Sequence, residues 1–98
     1  MDISFFKQSL ALPKPPAGIG VHLESLWEDG RGNWDRSHQL IQDLNDTDAA
    51  WIHAYLHRKE GDIWNADYWY SRAKRKRPNS SLEEEWEEIV DALFNKGK

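Results

Sequence analysis

The chain has 98 residues and a mass of 11.5 kDa, which suits one folded domain because two domains of half this length would each lack a self-sustaining core. Apolar residues make up 39% and charged residues 31%, and no apolar run approaches the roughly 20 residues of a bilayer span, so neither a membrane-spanning nor an intrinsically disordered chain fits. The net charge of −4, from 13 basic and 17 acidic residues, argues against a general affinity for nucleic acid.

The absence of cysteine from the sequence excludes disulfides, thiol nucleophiles and zinc sites built on cysteine. The segment from Met1 to Leu12 carries Asp2 and Lys7 among its apolar residues, so it lacks the uninterrupted apolar stretch of a secretory signal. We therefore expect a cytoplasmic protein with no membrane partner.

Residues 1–17 are predicted to form an extended arm that runs over the surface. Three prolines within Leu12-Pro13-Lys14-Pro15-Pro16 forbid a helix there, so a helical turn is expected only around Ile3 to Ser9. Residues 18–98 are predicted to form a single helical domain, because this part contains one proline, Pro78, and almost no β-branched alternation. The arm is expected to cover an exposed end of that domain.

Five helices are predicted in this domain, over residues 20–28, 33–44, 48–60, 63–76 and 81–94, from apolar periodicity and turn residues. The run Asp29-Gly30-Arg31-Gly32 ends the first helix, and Pro78 lies beyond the fourth. Ser81 and Glu84 have the spacing of a capping box at the start of the fifth helix.

A weak internal repeat relates the second and fourth predicted helices. With an offset of 29 residues, Gly32-Asn33-Trp34-Asp35-Arg36-Ser37 aligns with Gly61-Asp62-Ile63-Trp64-Asn65-Ala66. A period in this range is typical of stacked helical hairpins, each too small to bury its apolar face alone. We therefore predict an all-α fold of two antiparallel helical hairpins followed by a C-terminal capping helix.

The stretch from Asp48 to Pro78 resembles a helical hairpin of the tetratricopeptide and Sel1-like repeats. The spacing that tetratricopeptide repeats use in their second helix is matched by Gly61, Ala66, Tyr70, Ala73 and Pro78. The run Trp69-Tyr70-Ser71-Arg72-Ala73 is similar to the W-Y-x-K-A of Sel1-like repeats. The string H-A-Y-L-H-R-x-E-G-D, followed by N-A-x-Y-W-Y, also resembles one in a group of short bacterial and fungal proteins, and this second resemblance implies no activity.

The repeat resemblance implies a small peptide- or protein-binding module, which is the leading functional prediction. Its candidate ligand-binding residues lie on the fourth predicted helix and are Trp64, Tyr68, Arg72 and Tyr70. Core packing of these aromatic residues between the third and fifth predicted helices is the favoured alternative for the helix as a whole. A homodimer formed through an aromatic surface is a third prediction, since two repeats are few for burying every apolar face.

The competing functional class is a small metal-binding or acid–base enzyme centred on His53, His57 and Glu60. These side chains lie within an arc of about 60° on the third predicted helix, so they are the candidate catalytic residues and the candidate ligands of a divalent metal. His38 is a candidate contributor from the neighbouring hairpin.

A buried polar cluster is the slightly favoured alternative, with the two histidines hydrogen-bonded to Tyr70, Asn65 or Asp67. The zinc peptidases are excluded, because Ala54 stands where their motif places a glutamate after the first histidine.

The basic cluster of the chain comprises Arg72, Lys74, Arg75, Lys76 and Arg77. Cations are favoured at a helix C-terminus, where this cluster is predicted to lie. The expected arrangement is neutralisation by the glutamates that follow, which are Glu83, Glu84, Glu85, Glu87 and Glu88. Contact with phosphate or RNA is the less favoured alternative, because the acidic neighbours weaken binding to a polyanion, and nucleic acid is not expected as a partner.

Overall fold

The computed structural model describes residues 2–96, which form six helices and, within that range, no strand. The all-α prediction is therefore confirmed. The helices are α1 (Ile3–Ser9), α2 (Gly20–Gly30), α3 (Trp34–Ile41), α4 (Thr47–Glu60), α5 (Ile63–Arg72) and α6 (Leu82–Asn95). Within residues 2–96, none of the helices combines the length and the apolar character that crossing a bilayer requires.

Five of the helices begin with a side chain that satisfies a free backbone N–H of the first turn. At each of these starts the N-cap side chain accepts the N–H three residues later, and the caps are Asp2, Asn33, Asp46, Asp62 and Ser81. The predicted capping box is confirmed, since Glu84 also accepts the backbone N–H of Ser81 at 3.0 Å.

The end of α5 differs from the prediction. We expected this helix to continue to residue 76, and it ends at Arg72. Lys74 lies in the left-handed region with φ +62°, and the N–H of Arg75 donates to the carbonyl of Tyr70 at 2.9 Å. A residue in the left-handed conformation after the last turn ends a helix. The sequence has neither glycine nor proline at this position to indicate that end.

The helices pack as two hairpins covered by two further helices. α2 packs along α3 and α4 packs along α5, while α6 lies against α4, α2 and α1. α4 is central, because every residue from Ala49 to His57 is buried. Between α2 and α3 the buried hydroxyl of Ser25 donates to the carbonyl of Ser37 at 2.8 Å, so a polar contact joins the two helices.

The N-terminal arm is folded onto the domain. The helical turn expected around Ile3 to Ser9 is the seven-residue helix α1, and residues 10–19 contain turns and bends. Phe6 is fully buried, with its ring 5.7 Å from the rings of Trp86 and Phe94. The indole of Trp27 donates to the carbonyl of Ser9 at 3.1 Å, so α1 is also attached to α2.

The outer face of α5 is in solvent, contrary to the prediction that this helix is enclosed on both sides. Trp64 is 81% exposed and Tyr68 is 47% exposed. The physical reason is that α6 covers α4, α2 and α1 and leaves this face of α5 uncovered. The predicted core role of these two aromatic residues is therefore wrong.

Candidate functional site

Three histidines from two hairpins meet at the contact between α3 and α4. One ring nitrogen from each of His38, His53 and His57 lies within 4.8 Å of the other two. The Nε2 atoms of His38 and His53 are 2.9 Å apart, which is hydrogen-bond distance, so one ring donates and the other accepts. The centroids of the His53 and His57 rings are 4.8 Å apart, as expected for a pair one helical turn apart.

Two indoles form the walls of this histidine cluster. The ring of Trp34 stacks on His38 with centroids 5.0 Å apart, and the ring of Trp69 stacks on His53 with centroids 3.9 Å apart. His53 and His57 are buried, whereas His38 is half-buried. Trp69 of α5 therefore covers the cluster on one side, and the half-buried His38 of α3 reaches solvent on the other.

Glu60 supports the cluster from outside it. Its Oε2 atom lies 2.7 Å from Nδ1 of His57. A carboxylate holds the proton on that nitrogen, which leaves the lone pair of the same ring on Nε2. Glu60 was predicted as a ligand beside the two histidines. In the structure its carboxylate contacts Nδ1 of His57, and the third ring nitrogen near His53 and His57 belongs to His38.

The hydrogen-bond partners predicted for the two histidines are wrong. Tyr70 donates to Glu85, Asn65 donates to Asp62, and Asp67 pairs with Arg77. Each of these side chains is engaged elsewhere, so the polar contacts of His53 and His57 come from His38 and Glu60.

The electrostatics of the cluster favour neutral imidazoles. Burial, and then the neighbouring His38 and His57, lowers the pKa of His53 from 6.5 to about 3. Burial and His57 also lower the pKa of His38, against the opposing effect of the nearby carboxylates of Glu60 and Asp35. At neutral pH these two rings are therefore uncharged, which is the protonation state in which imidazole binds a metal ion.

The residues predicted to bind a ligand on α5 lie in two places. Trp64, Tyr68 and Arg72 share the exposed face, where the Arg72 guanidinium donates to the Tyr68 hydroxyl at 3.1 Å and lies 5.0 Å from the ring centre of Trp69. Tyr70 is buried, and its hydroxyl donates to Glu85 at 2.7 and 2.8 Å. Tyr70 is therefore a core residue and does not belong to the exposed aromatic surface.

The basic cluster is held differently from the prediction. Arg77 pairs with Asp67 at 2.9 Å, and the Arg75 guanidinium lies 3.4 Å from the ring centre of Trp51. Among residues 2–96 no ion pair joins this cluster to the glutamates of α6. Glu85 and Glu88 nevertheless line one small cavity with Arg75 and Lys76, so the two charge clusters lie close together without a direct ion pair.

Glu85 was expected among the glutamates that neutralise the basic cluster, and in the structure it is a buried carboxylate. It accepts hydrogen bonds from the Trp51 indole, the Tyr70 hydroxyl and the Arg58 guanidinium, at 3.1, 2.7 and 2.8 Å. Burial, and then the bond to Glu85, raises the pKa of Tyr70. The sequence did contain an indication that Glu85 is buried. It lies three residues after Leu82, on the apolar stripe of α6.

No protein-family model, curated protein or solved structure matches this chain. The candidate site is therefore defined by its own geometry: three histidine nitrogens within 4.8 Å of one another, oriented from one side by Glu60.

Proposed function

We propose that this protein binds a divalent transition metal ion of the zinc type through His38, His53 and His57. The observation that supports this is the separation of at most 4.8 Å between the three ring nitrogens. A zinc ion binds imidazole nitrogens at about 2.0–2.1 Å, so two tetrahedral ligands lie roughly 3.4 Å apart. Binding therefore requires His38 and His53 to exchange their 2.9 Å hydrogen bond for the metal and the three rings to reorient.

The surroundings of the cluster suit a cation. Glu60 gives His57 the carboxylate contact that usually accompanies a metal-bound histidine. Asp35 and Glu60 place negative charge near His38, on the side that reaches solvent. Imidazole nitrogens suit zinc, copper and nickel better than magnesium, calcium or manganese, which prefer oxygen ligands.

Three protein ligands leave a fourth tetrahedral position, as in catalytic zinc sites, where the metal lowers the pKa of a bound water to about 7. Two cavities of the structure, of about 700 and about 300 Å³, are lined by other residues. The geometry therefore supports metal binding at the histidines and assigns no reaction to them.

Calorimetric titration of the metal-free protein with Zn²⁺ tests the proposal, together with thermal melts in Zn²⁺, Ni²⁺ and Mn²⁺. We expect one ion per chain and a stabilisation of about 2.7 kcal/mol when the free ion is at 100 times its Kd. Replacing His38, His53 or His57 by alanine should each abolish the Zn²⁺-induced rise in Tm, and Mn²⁺ should have little effect.

His22→Ala is the matched control, because His22 is the one histidine of the sequence outside the cluster and pairs instead with Asp46 at 2.7 Å. This variant should keep the Zn²⁺-induced rise in Tm. The proposal fails if the wild-type protein shows neither heat nor a change in Tm with Zn²⁺, or if His22→Ala loses the effect as fully as the three cluster variants.

A second candidate function is self-association through the exposed face of α5, supported by the 81% exposure of Trp64. Trp64, Tyr68 and Arg72 follow one another at four-residue spacing, so they form one stripe on the helix. Antiparallel pairing of two α5 helices about a twofold axis at Tyr68 would place each Trp64 opposite Arg72 of the second copy. This pairing is self-complementary and forms two cation–π contacts.

Sedimentation equilibrium of the wild-type chain and of Trp64→Ser tests this pairing. We expect a concentration-dependent dimer for the wild type and a monomer for the variant, because tryptophan at the centre of an interface carries much of its binding energy. Phe5→Ser is the control, since Phe5 is a comparably exposed aromatic residue on α1. A wild-type chain that stays monomeric at every concentration, or a dimer that Phe5→Ser disrupts equally, contradicts it.

A further inference from the structure

The C-terminal end of α5 borders a cationic cavity of about 700 Å³, distinct from the histidine cluster. Its wall is formed by the run from Lys74 to Arg77 together with Asp67, Tyr70 and Ser71. Four cations and one carboxylate give this wall a formal charge of +3, in a chain whose net charge is −4. The cavity is therefore a local concentration of positive charge on an acidic protein.

Among the described residues a direct ion pair engages one of the four cations, while Glu85 and Glu88 lie with Arg75 and Lys76 around an adjacent small cavity. Asp67 is bound to Arg77 at 2.9 Å, so the single carboxylate of the wall is already used. Arg75 is held over Trp51, which fixes its position and leaves its charge intact. Among the described residues, neither Lys74 nor Lys76 has an ion-pair partner.

Lys74 occupies a backbone conformation that favours glycine. Within residues 2–96 it is the single non-glycine residue with a positive φ, at +62°. Glycine adopts this conformation without the steric conflict of a Cβ atom, and it is the usual residue after a helix end of this kind. A lysine at this position places an ammonium group at the cavity in spite of that conflict, and strained residues of this kind concentrate at functional sites.

The carbonyl groups at the end of α5 do not oppose an anion as strongly as free carbonyls would. The N–H of Lys74 donates to the carbonyl of Ser71 at 3.0 Å, and the N–H of Arg75 donates to that of Tyr70 at 2.9 Å. These two acceptors are satisfied, so the lysine and arginine side chains dominate the field in the cavity.

We propose that this cavity binds a small ligand carrying at least two phosphate groups, such as inorganic diphosphate or a nucleoside diphosphate. Arginine and lysine donors form charge-assisted hydrogen bonds with phosphate oxygens, and several cations on one wall match several negative charges. The cavity is widely open to solvent, so a small polar ligand can reach its cationic wall. An extended nucleic acid fits less well, because the exposed glutamates Glu83, Glu84 and Glu88 begin six residues after the cavity wall ends and repel a long polyanion.

Calorimetric titration in metal-free buffer at physiological ionic strength tests the proposal, with inorganic diphosphate, adenosine diphosphate and inorganic phosphate as separate probes. We expect saturable binding of diphosphate at one site, with inorganic phosphate at least tenfold weaker. Equal affinities for the two diphosphates assign recognition to the phosphates, and tighter binding of the nucleotide adds a contact to the base or sugar. Either result supports the proposal.

Lys74→Gly separates binding from folding, because its two effects have opposite signs. We expect its affinity for diphosphate to fall about tenfold, because the variant loses a cation. We expect its melting temperature to rise, because glycine adopts the left-handed backbone conformation without steric strain. Lys76→Gln should weaken binding similarly, whereas Lys14→Gln removes the same charge from the exposed arm and should leave the affinity unchanged.

Three outcomes would overturn the proposal. The first is the absence of diphosphate binding to the wild-type chain, and the second is a loss of affinity in Lys14→Gln equal to that in Lys74→Gly. The third is tighter binding of a single-stranded ten-nucleotide RNA than of either diphosphate, which would assign the surface to a macromolecule. The measurements do not depend on the histidine cluster, so metal binding and anion binding can fail separately.

Discussion

The protonation of His53 links the histidine cluster to the stability of the fold. The pKa of this residue is lowered from 6.5 to about 3 in the folded chain, so between these values the unfolded chain binds more protons at this position than the folded one. Stability from a neutral buried histidine is therefore fully present above pH 6.5 and is lost as the pH falls from 6.5 toward 3.

We predict that His53→Leu flattens this dependence. Leucine has no proton to bind, so the Tm of the variant should fall less between about pH 7 and pH 5 than the Tm of the wild type. Calorimetric melts of the metal-free proteins at about pH 7, 6 and 5 measure the difference. Parallel curves for the wild type and His53→Leu would contradict the assignment.

The histidine cluster shows which residue-level features a sequence can predict. His53 and His57 were expected on one face because the 3.6-residue period fixes neighbours within a helix, and the structure places their ring centres 4.8 Å apart. The roles of His38 and Glu60 depend on how α3 lies against α4. That arrangement follows from the packing of side chains across two helices, which spacing along the chain does not encode.

At the scale of elements, the α4–α5 hairpin buries a small residue in each of its two helices. Ala54 and Ala66 are fully buried, so a larger side chain at either position meets packed neighbours. We predict that Ala66→Leu destabilises the fold by about 1–3 kcal/mol, because the added methylenes must displace packed neighbours. Urea unfolding at constant pH measures the change.

Ala92→Leu is the matched control for this prediction. Ala92 is exposed on α6, so the same substitution should alter the free energy of unfolding by less than about 0.5 kcal/mol. Small and equal effects at both positions would contradict the tight packing around Ala66.

The residues at which helices begin were easier to predict than the residues at which they end or the helices that pack against them. The capping box of Ser81 and Glu84 is a local pattern with a local cause, and it forms as expected. The end of α5 was missed because Lys74 carries no sequence signal for its left-handed conformation. The exposure of Trp64 was missed because an aromatic helix face predicts burial. Whether another helix covers that face of α5 depends on where α6 packs, which local sequence does not determine.

At the scale of the whole molecule, α6 connects the two hairpins through polar contacts inside an apolar interface. Its Glu85 accepts hydrogen bonds from α4 and α5, and the indole of Trp86 donates to the carbonyl of Leu26 in α2 at 3.0 Å. Buried polar groups of this kind are tolerated because each finds a partner, and they fix one orientation of the helix.

The arm completes the same core from the other side, which we predict makes Phe6 essential and its neighbour Phe5 dispensable. Phe6 is fully buried against Trp86 and Phe94, whereas its neighbour Phe5 is 50% exposed. Phe6→Ala should therefore cost about 3–5 kcal/mol in urea unfolding, through lost burial and the cavity it leaves, and Phe5→Ala should cost less than about 1 kcal/mol. A similar small cost for both variants would mean that the arm lies on a core that is complete without it, and that α6 alone covers the end of the two hairpins.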